Sequence, residues 1–169
     1  MAKIVALLVT VIGLYTGGVQ HLQTASPLFN FFFSPNDLYD PLACTEFDLS
    51  TVGGYELNFQ NKYPGNHSIA VLVEHPPRVS DSYLTDFKLI IKIIDGSKAI
   101  IDKEITKPIF SFWGGGKQNS GFAVFTYKVP LDLERERALR ATVQIEVPDE
   151  KFTARYGKQK ICIQKFSDE

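Results

Sequence analysis

Histidine is the residue type best suited to acid–base or metal chemistry, and the sequence has three: His21, His67 and His75. The last two are eight residues apart, which is neither the i, i+4 spacing of a helix nor the i, i+2 spacing of a strand that aims two imidazoles at one ion. Their positions, in a turn and at a strand end, favour solvated side chains over zinc ligands. No G-x-S-x-G motif is present. The sequence therefore predicts no catalytic residue, no metal site and no enzyme.

A glycine-rich stretch, Trp113–Gly121, is superficially similar to a phosphate-binding loop. Its Gly116-Lys117 pair is followed by Gln118 instead of Ser or Thr, and no helical pattern follows to supply amide groups for a phosphate. The acidic stretches lack the spacing of a calcium loop. We therefore expect no cofactor and interpret the stretch as a flexible loop, in which Trp113 is a candidate contact residue.

The two cysteines, Cys44 and Cys162, are too few for a disulfide scaffold or a four-thiolate zinc site. They fall on the first and last predicted strands of the body, which can be neighbours in a sandwich. In an exported domain such a pair is typical of one disulfide bond. The alternative is two free, buried thiols.

Alternating apolar and polar residues dominate the sequence from Cys44 onward and predict eight or nine strands. The predicted strands are 46–49, 54–60, 68–75, 87–95, 97–101, 109–113, 122–129, 139–147 and 159–166. Asp95-Gly96 between two apolar runs predicts a tight hairpin, because both residues tolerate a positive φ. Many short strands at this spacing predict an all-β fold, an immunoglobulin-like β-sandwich, with a small barrel as the alternative.

The N-terminal segment has a different composition from the body. The first 36 residues carry one charged side chain, Lys3, and Ile4–Val19 is a continuous apolar run. We expect a helix over residues 3–23 that crosses a membrane once and leaves the C-terminal domain outside the cytoplasm, in the periplasm or extracellular space. A cleaved secretory signal, cut near Gly18, and a buried helix of a soluble protein are the alternatives.

A Phe-rich stretch follows this helix and contains Phe29, Phe31, Phe32 and Phe33. Prolines on both sides make a continuing helix unfavourable. We expect these rings to contact lipid or another protein, the alternative being packing against the chain's own sheet. The predicted organisation is then a membrane anchor or signal-like helix (1–23), a Phe- and Pro-rich linker (24–43) and a β-sandwich domain (44–169).

Four features of the body resemble an uncharacterised class of small exported bacterial immunoglobulin-like domains. The strand starts Phe47–Ser50 and Gly53–Leu57, the long strand Phe87–Asp95 and the late strand Leu139–Val147 carry the resemblance, which covers residues 46–166. It implies a sandwich and export, and it implies no activity.

The charge balance bears on possible partners. Eighteen Lys and Arg residues against 19 Asp and Glu give a net charge of −1, without the basic excess of nucleic-acid-binding proteins. We therefore expect no nucleic acid, and expect instead a lipid bilayer around residues 4–23 and other protein subunits as partners. The function predicted from the sequence is a membrane-anchored accessory or scaffolding subunit. A soluble exported binding module for a small molecule, glycan or peptide is the alternative.

Overall fold

The computed structural model describes residues 38, 40–63, 65–112, 120–129 and 137–166. The chain divides into two units, Met1–Leu38 and Tyr39–Glu169, and the described residues fall almost entirely in the second. This unit is all-β.

Nine strands and two short helical segments make up the described part of the chain. The strands are β1 (Ala43–Phe47), β2 (Gly53–Gln60), β3 (Gly65–Val73), β4 (Lys88–Asp95), β5 (Lys98–Ile105), β6 (Phe110–Phe112), β7 (Gly121–Val129), β8 (Ala138–Val147) and β9 (Gln159–Lys165). A 3₁₀ helix (Val79–Tyr83) precedes β4, and one helical turn, α1 (Phe152–Tyr156), lies between β8 and β9.

The strands form two antiparallel sheets. The first sheet has the order β1-β9-β3-β7-β6 and the second the order β2-β8-β4-β5. Strand β1 pairs with β9, β2 with β8, β3 with β7 and β4 with β5. The chain is therefore one long antiparallel ribbon, folded over on itself as in a jelly roll. Strand β6 is a short additional edge strand that pairs with β7.

The predicted fold, an immunoglobulin-like sandwich preceded by an apolar transmembrane helix, is wrong. An immunoglobulin domain places its first two strands side by side in one sheet, whereas β1 and β2 lie in different sheets and β1 pairs with the last strand. Alternation along a strand predicts which face is buried but carries no information on which strand lies beside it. No helix in the described part of the chain is both long and apolar enough to cross a membrane. Residues 3–23 lie outside the described residues.

Alternating residues of both sheets fill the core. In β4, Leu89, Ile91 and Ile93 are fully buried, and Lys88 and Lys92 lie on the opposite face. The predicted hairpin after this strand is confirmed, because β4 and β5 pair and Gly96 adopts a φ of 57°.

The two ends of the sandwich bury different kinds of side chain, and they are called the apolar end and the polar end accordingly. The apolar end lies where β3 and β8 finish and β9 begins, and α1 packs there. Phe122, Phe152 and Tyr156 are fully buried at this end, with ring centroids 4.8–5.4 Å apart. The polar end is the opposite one, where β2, β7 and β9 finish and β3 begins.

Candidate functional site at the polar end

Polar side chains occupy core positions at the polar end. His67 on β3 lies opposite Tyr127 on β7 and also opposite Lys165 on β9. Three adjacent strands therefore place three polar residues in one row on the buried face of the first sheet. His67 is 0% exposed and Lys165 is 8% exposed. Placing polar groups in an interior costs free energy unless each group has a partner, and His67 and Lys165 both have interactions.

Asn61 adds a buried amide at the same end. The alternation of buried residues in β2, at Leu57 and Phe59, continues past the strand to Asn61 and Tyr63. Asn61 is 4% exposed, and neither its Nδ2 nor its Oδ1 has a hydrogen-bond partner. An unsatisfied buried amide is costly, about 1–3 kcal/mol for each group.

The ring of His67 is held in place by two contacts. It stacks on Tyr127, with centroids 5.7 Å apart and planes 29° apart. Its Nδ1 lies 3.1 Å from the carbonyl oxygen of Gly65. Since a carbonyl oxygen only accepts, this geometry assigns a proton to Nδ1. The histidine is therefore a fixed part of the row.

Tyr127, like Asn61, has a side-chain polar group without a hydrogen-bond partner. Its ring stacks on Phe125, with centroids 6.2 Å apart, and its hydroxyl has no hydrogen-bond partner. Burial raises the pKa of Tyr127 far above the ordinary value for tyrosine. The hydroxyl consequently stays protonated at every physiological pH and can both donate and accept.

The prediction of a solvated turn histidine is wrong for His67. Strand β3 begins at Gly65, within the segment whose Tyr63-Pro64-Gly65-Asn66 sequence indicates a turn, so His67 is already a strand residue facing the core. His75 is exposed, as expected for a residue after the strand. No group of three or more His, Cys, Asp or Glu residues within the described ranges is placed to hold a metal ion.

The predicted disulfide between Cys44 and Cys162 is confirmed. The two residues lie directly opposite each other on β1 and β9, with Cα atoms 4.2 Å apart, and the bond joins positions separated by 118 residues. Cys44 is exposed and Cys162 is fully buried. The bond attaches the edge strand β1 to the middle of β9, midway between the two ends of the sandwich.

A cluster of hydroxyl and carboxylate groups at the apolar end connects α1 to the strands. Thr153 Oγ1 donates to Asp48 Oδ1 over 2.7 Å and accepts from Gln159 Nε2 over 2.7 Å. The hydrogen bond from Thr153 is the main cause that lowers the pKa of Asp48, and the backbone N–H of Ser50 contributes. These hydrogen bonds join α1 to the loop after β1 and to the start of β9, and they act as a structural latch.

An exposed apolar corner lies on the surface near the apolar end. It consists of Val79, Tyr83, Leu84 and Ile109, whose side chains are 53–85% exposed. Ser111 Oγ on β6 donates to the carbonyl oxygens of Arg78 and Val79, over 2.8 and 3.1 Å, and so ties the 3₁₀ helix to the edge strand. The apolar corner is therefore a fixed surface beside a short sheet edge.

The outer face of the second sheet is solvent-exposed and carries charges of both signs. Lys88 Nζ lies 3.1 Å from Glu104 and 2.9 Å from Glu146, and Lys92 Nζ lies 3.0 Å from Asp102. These pairs join neighbouring strands and have well-exposed side chains, so they contribute little to stability. The predicted contact residues Phe29, Phe31, Phe32, Phe33 and Trp113 lie outside the described residues.

Sequence reasoning missed both the polar row and the apolar corner. The row needs three strands in register, and only the pairing of β3 with β7 and β9 brings His67, Tyr127 and Lys165 together. The corner combines residues about 30 positions apart. A signal was nevertheless present, because Asn61 interrupts the apolar positions of an alternating pattern.

Comparison with known proteins leaves the chain without an assigned family. No family model matches it, and no curated protein matches it. Among solved structures it is similar to a protein from Sulfurospirillum deleyianum, with 13% sequence identity and a TM-score of 0.48. That alignment covers 75% of this chain and 97% of the other.

Proposed function

We propose that this protein is a non-enzymatic, extracytoplasmic interaction module that serves as an accessory subunit of a larger assembly. The apolar corner is the observation that carries the proposal. Tyr83 is 85% exposed, and Val79 and Leu84 on either side of it are more than 60% exposed. Large apolar side chains that cluster on a rigid surface are typical of protein-binding sites, whereas a surface that contacts only water is usually polar.

The rigidity of the corner supports this role. The 3₁₀ helix is closed at its start by Asp81, whose Oδ2 accepts from the backbone N–H of Arg78 over 2.9 Å. Arg155 on α1 donates to the carbonyl oxygen of Leu84 over 3.3 Å. Because these contacts order the corner before binding, a partner does not bear the entropic cost of ordering it.

The disulfide supports the proposed location. Disulfides persist in oxidising compartments and are rare in the cytosol, where thiols are kept reduced. The Cys44–Cys162 bond therefore favours the periplasm or the extracellular space.

The test replaces Val79, Tyr83 and Leu84 together with Ser. The partner that crosslinks to the wild-type chain in its native host is identified, and its affinity is then measured with purified components. We expect the triple variant to fold normally and to bind about tenfold or more weakly. The matched control replaces Val52 and Ile100, which are exposed elsewhere, with Ser. Equal binding by both variants, or no crosslinked partner in the wild type, would contradict the proposal.

A further inference from the structure

The two sheets of the sandwich end in four edge strands, each of which pairs with a neighbouring strand on one side only. These strands are β1 and β6 in the first sheet and β2 and β5 in the second. A row of unpaired N–H and C=O groups is a template for a further strand, so proteins usually keep edge strands short, covered or charged. The four edges differ in how far they follow this rule.

Three of the four edges are short, covered or charged. Strand β1 has five residues and β6 has three. The 3₁₀ helix also lies against β6, through the hydrogen bonds from Ser111 to the carbonyl oxygens of Arg78 and Val79. Strand β5 has eight residues, but its Lys103 lies directly opposite Ile91, a fully buried core residue. Lys103 therefore places a charge at an inward position, and this is one of the ways in which proteins prevent an edge from pairing.

Strand β2 is the edge without such protection. It has eight residues and no proline, and its inward residues Tyr55, Leu57 and Phe59 are aliphatic or aromatic. Its one charged residue, Glu56, is exposed and lies 3.7 Å from Arg140 on β8. Among the residues that the structure describes, β2 pairs with β8 alone, and its backbone forms no hydrogen bond to the backbone of another element. The outer edge of β2 is therefore open.

The side chains of β2 are complementary to those of the same strand in the antiparallel orientation. Successive residues point to opposite faces, so a two-fold axis perpendicular to the sheet must pass through a residue if inner side chains are to meet inner ones. An axis at Leu57 places Tyr55 opposite Phe59 of the second copy. The same axis places Glu56 opposite Asn58 on the outer face. An axis at Glu56 would instead place two carboxylates against each other, which is destabilising.

We propose that two copies of this chain associate through β2, which pairs antiparallel with β2 of the second copy and joins the two four-stranded sheets into one sheet of eight strands. The pairing is symmetric about Leu57. Backbone hydrogen bonds along the edge supply the affinity, and the side chains on the outer face set the register. The interface includes no residue of the apolar corner, so the inference does not depend on the proposed function.

The test is sedimentation velocity of the full chain at concentrations from about 1 μM to 1 mM, in which we expect a monomer–dimer equilibrium. Asn58→Glu adds a carboxylate opposite Glu56 of the second copy, and Asn58→Lys adds an ammonium group there. Arg140 lies opposite Asn58 within each copy and screens part of the added charge. We therefore expect the dimer Kd to rise about threefold in Asn58→Glu and to fall about threefold in Asn58→Lys. Circular dichroism checks that both variants of this exposed residue fold.

The matched control is Ala99→Glu, which adds the same charge to an exposed residue of β5, the other edge strand of this sheet. It should leave Kd unchanged. Three results would overturn the proposal: a monomer at every concentration, equal Kd values in the wild type and both Asn58 variants, or a dimer that only Ala99→Glu weakens. The first result would leave the open edge to a strand of another protein, and the other two would assign the dimer to a different surface.

Discussion

The two ends of the sandwich differ in what fills their core positions. At the apolar end the rings of Phe122, Phe152 and Tyr156 pack against one another with planes 56–69° apart, and the helical turn α1 supplies two of them. At the polar end the equivalent buried positions hold an imidazole, an ammonium group and an unsatisfied amide. The apolar end is thus built for stability, whereas the polar end gives up packing energy that a closed core would supply.

The contacts that hold the sandwich together are not confined to one end. Packing and the Thr153–Asp48 latch hold the apolar end. The disulfide lies between the two ends and fixes the first strand to the middle of the last. Its contribution to stability therefore offsets part of the packing energy that the polar end lacks.

Removing the disulfide should have the largest effect on stability. Replacing Cys44 and Cys162 with Ser opens a loop of 118 residues and should lower the free energy of unfolding by about 4–5 kcal/mol. Urea unfolding measures the loss, and the reduced wild-type chain is the control that should match the variant. A loss below about 1 kcal/mol would mean that packing holds both ends.

Truncating the aromatic cluster should have the next largest effect. Phe152→Ala leaves a cavity between Phe122 and Tyr156 and should cost about 3–5 kcal/mol. The same unfolding measurement tests it. Little change in the free energy of unfolding would show that α1 is dispensable and that the apolar end is not the stable one.

The strands and the disulfide were predictable from the sequence because each depends on local information. The burial of Leu89, Ile91 and Ile93 follows from alternation, and the turn at Gly96 follows from its residue type. The strand order and the polar row were not predictable, because both depend on which distant strands pair. Helix α1 is only five residues long, too short to show a helical period.

A smaller effect of opposite sign is expected at the polar end. Asn61→Leu removes an unsatisfied amide of similar size and should raise the free energy of unfolding by about 1 kcal/mol. Asn58→Leu changes an exposed residue of β2, the strand that ends just before Asn61, and serves as the control, with no expected change. If Asn61→Leu destabilises the chain instead, the amide has a structural role and the contrast between the ends is weaker.

The smallest effect concerns pH. The pKa of Asp48 is lowered in the folded chain, chiefly by the hydrogen bond from Thr153, so the carboxylate stabilises the fold above the pKa of the unfolded chain. This contribution is lost as pH falls through the folded pKa, below about pH 4. Asp48→Asn should therefore be less stable than the wild type at pH 7, and the gap should shrink in acid. A gap that is constant with pH would assign the effect to hydrogen-bond geometry alone.

The central claim is that the apolar end of the sandwich is more stable than the polar end. The most direct measurement is native-state amide hydrogen exchange, followed by NMR on the ¹⁵N-labelled chain. Strands β3 and β7 pair Val71 with Phe122 at the apolar end and His67 with Tyr127 at the polar end. The amides of the first pair should exchange more slowly than those of the second. Equal rates in the two pairs, or slower exchange in the second, would contradict the claim.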